Sequence, residues 1–224
     1  MEMTMARPRS EITKEKLLEA AAEVFVSKGF RDATIAQICK QARANVAAVN
    51  YHFGSKEVLY QETWRYSFNK SLQAHPMDGG VNADAPAAER LRGTIQALVE
   101  RIADEESRDF FILQMEFVNP TGLLDEVMRT ERIQLRSKIF SLMKELLGPG
   151  ASEKQIIFCT MSVISMCLHT MMIQRVRKKT NDLSLPPEIL NLEAFVEHVV
   201  KFSLAGIAAI KTEINADTSA RKEA

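Results

Sequence analysis

The chain has 224 residues, 46% hydrophobic and 26% charged, which is enough to bury a core and too apolar for a disordered chain. Basic and acidic residues number 29 each, so net charge points to no polyanionic partner, although a neutral protein can still carry its cations along one edge. Nine Gly and seven Pro, clustered in a few places, argue against a many-stranded sandwich and for long helices, so the predicted class is all-α.

Residues through Arg9, ending in Ala6-Arg7-Pro8-Arg9, read as a flexible arm. From Ile12 to Lys28 the apolar Leu18, Ala21, Ala22 and Phe25 recur at helical spacing, and Gly29 follows as a stop. Thr34 and Gln37 form a capping box for a short helix that buries Ile35, Ile38, Cys39 and Ala42. Arg43 and Ala44 make a break. Asn45 caps a third helix that turns Val46, Val49 and Phe53 inward and Asn45, Ala47, Ala48, Asn50, Tyr51 and His52 outward. Gly54 ends it, and Ser55 caps a fourth helix running to about His75.

Pro76 to Pro86, with Gly79 and Gly80, is linker-like, and helical runs over 86–106, 108–118, 121–147, 152–178 and 188–213 follow. Asn119-Pro120, Gly148-Pro149-Gly150 and Pro186-Pro187 mark the breaks, and Ser152 with Gln155 forms a second capping box. The total is about nine helices. The expected division is an arm and DNA-binding head over 1–55, a connecting helix over 56–75, a helical ligand-binding and dimerisation domain over 76–214, and a flexible tail over 215–224.

Cys39, Cys159 and Cys167 give neither an even disulfide set nor a CxxC pair, and no cleavable leader precedes them, which points to the cytoplasm. They read as small buried hydrophobes, with redox sensing as the lesser alternative. Ile156 to Ile173 lacks charge, but Thr160, Ser162, Ser165, His169 and Thr170 interrupt it. A helix packed on its own domain and on a partner subunit accounts for such a stretch without a membrane.

The run from Gly29 to Ala42, followed by Arg43-Ala-Asn-Val-Ala-Ala-Val-Asn-Tyr-His-Phe-Gly-Ser-Lys-Glu-Val-Leu59, resembles the N-terminal domain of the TetR family over roughly residues 10–65. The resemblance implies a three-helix helix-turn-helix head followed by an antiparallel helical bundle, with double-stranded operator DNA, a small organic effector and a second copy as partners. It implies phosphate or sugar contacts from Thr34, Tyr51, His52 and Lys56; the outward Asn45, Ala47, Ala48 and Asn50 are the candidate base contacts, and Arg43 is a further candidate for a phosphate. Small Ala47 and Ala48 allow close approach to a groove, Asn50 has the donor and acceptor to pair with adenine, and hydroxyls and a Lys ammonium suit phosphates. The alternatives are that Thr34 only caps its helix and that Lys56 is only solvated. Arg7 and Arg9 are candidates for an adjacent minor groove. Arg43 stands where the family usually has Gly, at a position expected to take positive φ; Ala47 and Asn50 replace the usual Gly and aromatic residue, so the resemblance implies DNA binding but not the operator sequence.

Further along, Phe111-Ile-Leu-Gln-Met-Glu-Phe-Val-Asn-Pro-Thr-Gly-Leu-Leu-Asp125 and Val163-Ile-Ser-Met-Cys-Leu168 resemble the CecR-like branch. By family analogy the last two long helices form a dimer seam containing Val163, Cys167, Phe195, Val199, Phe202 and Gly206, unless these face the subunit's own core. Phe110, Phe111, Met115, Phe117, Phe140, Met143, Met161, Met166, Met171 and Met172 make an aromatic and Met-rich set inside the domain, either plain core or an adaptable pocket. From it Phe111, Met115, Phe140, Met143 and Met166, with the polar Gln114 and His169, are the candidate effector contacts.

The expected function is a repressor that binds a palindromic operator as a dimer and is released by the effector. An enzyme is disfavoured: nucleophile elbow, phosphate loop and HExxH are all missing, and Glu193 to His198 supplies no metal-site pair. No metal or cofactor is expected. A protein-interaction module that has lost DNA affinity is the other alternative.

Overall fold

The computed structural model describes residues 8–180 and 191–223, and these contain nine helices and no strand. In chain order they are α1 (Arg9–Asp32), α2 (Ile35–Ala42), α3 (Val46–Phe53), α4 (Lys56–Ala74), α5 (Ala87–Ala103), α6 (Arg108–Val118), α7 (Asp125–Leu147), α8 (Glu153–Thr180) and α9 (Leu192–Glu223). Arg7, the Pro186-Pro187 break and the side chains of Met171 and Met172 lie outside the described residues.

Several boundaries differ from expectation; α1 runs on to Asp32 and α5 stops at Ala103. Pro8 precedes the first turn of α1, so Arg9 belongs to a helix rather than to an arm; Pro has no N–H to lose there. The seventh helix begins at Asp125 instead of 121, because Gly122 sits at φ +73 in a turn. The last helix continues ten residues past 213.

The chain divides into two compact units. The first takes residues up to Gln73 together with 105–131. Its core is Leu17, Phe25, Ile38, Val49, Leu59, Tyr60, Trp64 and Ile112, each no more than 1% exposed. Tyr60 sits edge-on to Phe25 at 4.8 Å and tilted against Phe30 at 5.0 Å, while Trp64 stacks on Phe68 at 4.9 Å. Gly29 interrupts α1 with φ 71 and ψ 177. A Cβ there would lie 3.1 Å from the Met115 methyl, so the glycine both turns the backbone and lets α6 close in.

The second unit takes 74–104 and residues from 132 onward. Leu91, Ile95, Val99 and Ile102 fall on one face of α5 and are buried; so are Ile156, Cys159, Val163 and Cys167 of α8, and Val196, Val199, Ser203 and Ile207 of α9. Both α8 and α9 pack on α5. Arg90 bridges to Glu145 at 2.6 Å, and Arg92 to Glu197. Gly79 and Gly93 meet backbone to backbone: a Cβ on Gly93 would stand 2.3 Å from the Asp78 carbonyl oxygen.

Large apolar groups remain on the surface of α8: Ile157 is 40% exposed, Phe158 57% and Met161 59%. Met161 and Phe117, expected inside, are therefore outside. Among the described residues, no helix is long and apolar enough to cross a membrane.

Candidate nucleic-acid interface

α2 and α3 are eight residues each, too short to be stable alone, and are fixed by their ends. The Thr34 hydroxyl accepts from the Gln37 N–H at 3.3 Å, and the Gln37 side chain accepts from the Thr34 N–H at 3.1 Å. At the other end Arg43 adopts φ 51, ψ 42, the left-handed turn expected, and its N–H donates to the Cys39 and Lys40 carbonyls. The Asn45 side chain then accepts from the Ala47 N–H at 3.0 Å and opens α3. Helix, turn and helix are thus set by local hydrogen bonds.

Packing decides the rest. Val49 and Phe53 enter the core, leaving Asn45, Ala47, Asn50 and Tyr51 exposed, with Ala48 and His52 half-buried. Val46, expected to be buried, is 46% exposed; it lies one turn before Asn50 and shares the outward face. Tyr51 is 79% exposed and its ring stands edge-on to His52 at 4.9 Å. Thr34 and Arg43 are also exposed.

Lys56, half-buried at the start of α4, donates to the Arg31 carbonyl at 3.3 Å and lies 4.5 Å from the Phe30 ring centroid. The adjacent Glu57 carboxyl is held below its usual range, first by a backbone N–H and then by the Ser55 hydroxyl. Ser55 itself caps α4 by accepting from the Val58 N–H at 3.2 Å.

Sequence reasoning missed a polar hub in the same unit, where α4 meets the end of α6. Glu116 is 8% exposed. One of its oxygens accepts from the Thr121 N–H at 2.7 Å, the Thr121 hydroxyl at 2.8 Å and the Gly122 N–H at 2.9 Å, and the other accepts from the Tyr60 hydroxyl at 3.0 Å. Burial first, and the Glu116 charge second, push the Tyr60 phenol well above its usual range. Gln61 donates to the Leu123 carbonyl at 2.8 Å and Arg31 to the Pro120 carbonyl at 3.2 Å, so the turn after α6 is sewn to α1 and α4. Only the spacing of Glu116 from Pro120 and Gly122 signalled a capped turn, and nothing local pointed to Tyr60.

The candidate effector residues fall into both units. Phe111, Gln114 and Met115 are half-buried in the first; in the second, Met143 is fully buried, Phe140 and Met166 half-buried and His169 exposed. Of the candidate seam residues, Val163, Cys167 and Val199 are buried within their own unit, Phe195 is half-buried, and Phe202 and Gly206 are exposed. Burial raises all three thiols, that of Cys167 to about 12.

The family model for bacterial regulatory proteins of the tetR family matches residues 17–63, and that for the C-terminal domain of the HTH-type transcriptional dual regulator CecR matches residues 87–207. The HTH-type transcriptional regulator SrpR of Pseudomonas putida is 27% identical over 66% of this chain, which spans 65% of that relative's length. The HTH-type transcriptional regulator TtgW, also of Pseudomonas putida, is 26% identical over 52% of this chain and 83% of its own. Among solved structures, a TetR-like transcriptional regulator from Rhodococcus sp. RHA1 superposes with TM-score 0.63 at 14% identity, covering 91% of this chain and 99% of that one. The fatty acid degradation regulator FadR from Bacillus halodurans gives 0.63 at 14%, covering 89% and 97%; at such identities both bear on the fold alone. The relatives are transcriptional regulators rather than enzymes. The chain belongs to the TetR family of bacterial transcriptional regulators, with a C-terminal domain of the CecR type.

Proposed function

We propose that this protein is a ligand-responsive repressor that binds a palindromic operator as a homodimer in the cytoplasm and leaves it when a small organic effector binds. The observation that carries the reading is the outward face of α3. Asn45, Ala47, Asn50 and Tyr51 stand exposed together while Val49 and Phe53 anchor the helix from behind. A short rigid helix with small and amide side chains outward suits the major groove.

In this reading Asn45, Ala47, Ala48 and Asn50 meet base edges, and Tyr51, His52, Lys56, Arg43 and Thr34 meet phosphates or sugars. Lys56 spends one ammonium hydrogen on the Arg31 carbonyl and keeps two for a phosphate. Dimerisation sets two such helices about 34–36 Å apart on successive major grooves. Ile157, Phe158 and Met161 of α8, with Phe202 and Gly206 of α9, provide the apolar surface for it. Val163, Cys167 and Val199 then act as core behind the seam, and Phe195 lies at its edge. For the effector, Phe140, Met143 and Met166 with His169, and Phe111, Gln114 and Met115, remain the proposed contacts. Release requires that the effector bind one state of the dimer more tightly than the other.

The test is a titration of duplexes selected by the protein from a randomised pool, read by gel shift against competitor DNA. Preference for the selected duplexes, weakened about tenfold or more by Asn50→Ala, supports the reading. Equal affinity for selected and competitor DNA leaves only an interaction module. Effectors that bind by calorimetry yet leave operator affinity unchanged at fixed salt refute ligand-controlled release.

A further inference from the structure

A groove of about 880 Å³ runs between α1 and the turn joining α2 to α3, and Asn45, the cap of α3, lies at its margin. Arg9 and Lys16 stand on the α1 wall, seven residues apart on one face and so about 10 Å apart along the axis. That is the axial rise of about three nucleotides of one strand. Arg43, held outward by its left-handed backbone, stands on the opposite wall.

These three cations differ from five arginines elsewhere in the chain. Arg65, Arg90, Arg92, Arg108 and Arg129 are each bridged to a glutamate. Arg9, Lys16 and Arg43 are exposed, and among the described residues none of them is joined to an acid by an ion pair. Two acids share the groove and are engaged elsewhere: Glu19 binds Lys70 at 3.0 Å and the Tyr66 hydroxyl at 3.2 Å, and Glu23 accepts from the Gln41 amide. Ile12 and Ala44 add apolar wall of the kind a deoxyribose face can lie against.

We infer that this groove holds a phosphodiester strand of the operator beside the bases met by α3, with Arg9 and Lys16 as phosphate ligands. The inference rests on the DNA-binding reading and extends the contact from the helix-turn-helix onto α1. Its occupant is a DNA backbone because the groove is open, keeps unpaired cations of one sign at nucleotide spacing, and continues directly into the face of α3. Such contacts add affinity without sequence preference.

The experiment uses the full chain and a duplex selected by the wild-type protein, with affinity measured across a salt series. Each lost phosphate contact lowers the slope of log affinity on log salt by about 0.9, so the double variant Arg9→Ala/Lys16→Ala should lose about 1.8 and bind about sixtyfold more weakly at 0.1 M salt. Its base preference should stay unchanged. Lys14→Ala is the control, since Lys14 lies on the same helix but lines a different groove, with Glu62 and Tyr66 of α4. It should leave the slope within about 0.3. An unchanged slope in the double variant overturns the inference, as does an equal loss from Lys14→Ala, which means diffuse charge. If the wild type selects no duplex, the regulator reading fails first and takes this inference with it. Circular dichroism identical to wild type confirms that the variants fold.

Discussion

The two units finish their surfaces differently. The first closes its apolar core over Phe25, Tyr60 and Trp64 and turns small, amide and phenol side chains outward along α3. The second buries one side of α8 and leaves Ile157, Phe158 and Met161 on the other. Scattered apolar groups need no explanation, but a row at helical spacing on one face does. The first unit leaves Phe117 and Val118 exposed at the end of α6, but along α3 it presents chemistry suited to a polar, charged macromolecule. The second lacks a cover that another apolar surface would supply, and a second copy is the cover proposed.

The largest effect should come from breaking that cover. Phe158→Asp/Met161→Asp places two carboxylates per subunit in the proposed seam while changing only surface positions of the subunit itself. Burying an unpaired charge costs several kcal/mol, so dimerisation should weaken by about 4 kcal/mol, roughly a thousandfold. Analytical ultracentrifugation should then show monomers at micromolar concentration, with unchanged helicity and lost operator binding. A variant that stays dimeric removes this face of α8 from the seam and leaves its apolar row without a role.

Next in size is the hub that fastens the turn after α6 within the first unit. Glu116→Ala leaves four donors without their acceptor, two of them backbone N–H groups. Hydrogen bonds to a charged acceptor are worth about 1.5–3 kcal/mol each and do not add, so a loss of about 3 kcal/mol is expected. Tyr60→Phe removes one donor and should cost about 1 kcal/mol. Trp64, the sole tryptophan, lies fully buried in the same unit, so its fluorescence in urea reports this transition directly. The proposed dimer should persist in both variants. If Glu116→Ala costs less than Tyr60→Phe, the carboxylate is not what fastens the turn after α6.

The same contrast explains what was legible in the sequence. Thr34 with Gln37, Ser152 with Gln155, and Asn45 with Ala47 act over two or three residues, so composition and spacing sufficed to place those helix starts. The left-handed backbone at Arg43 was legible only through the family resemblance, which places Gly at that position. Val46 was not, because an eight-residue helix with two buried positions lets tertiary packing choose which residues are inside. Met161 and Phe117 were assigned inward on hydrophobicity, which does not distinguish a core from a surface awaiting a partner. Tyr60 and Glu116 are 56 residues apart, and Gly79 meets Gly93 across a linker; neither leaves a local trace.

Arg43 is where the comparison can be sharpened most finely, because stability and binding should move in opposite directions there. Its φ of 51 places a Cβ-bearing residue in the left-handed region, at a cost of about 1 kcal/mol. Arg43→Gly relieves that strain but frees the unfolded chain, so the net gain should be about 0.5 kcal/mol, read by the same Trp64 fluorescence in urea. If the guanidinium also holds a phosphate, the variant should bind operator with a salt slope lower by about 0.9 despite its greater stability. Arg43→Lys separates the two effects, since it keeps the charge and the strain and should restore the slope without the gain in stability. A slope that Arg43→Gly leaves unchanged makes residue 43 a turn former only, and the head then meets DNA through α3 and its other flanking residues without it.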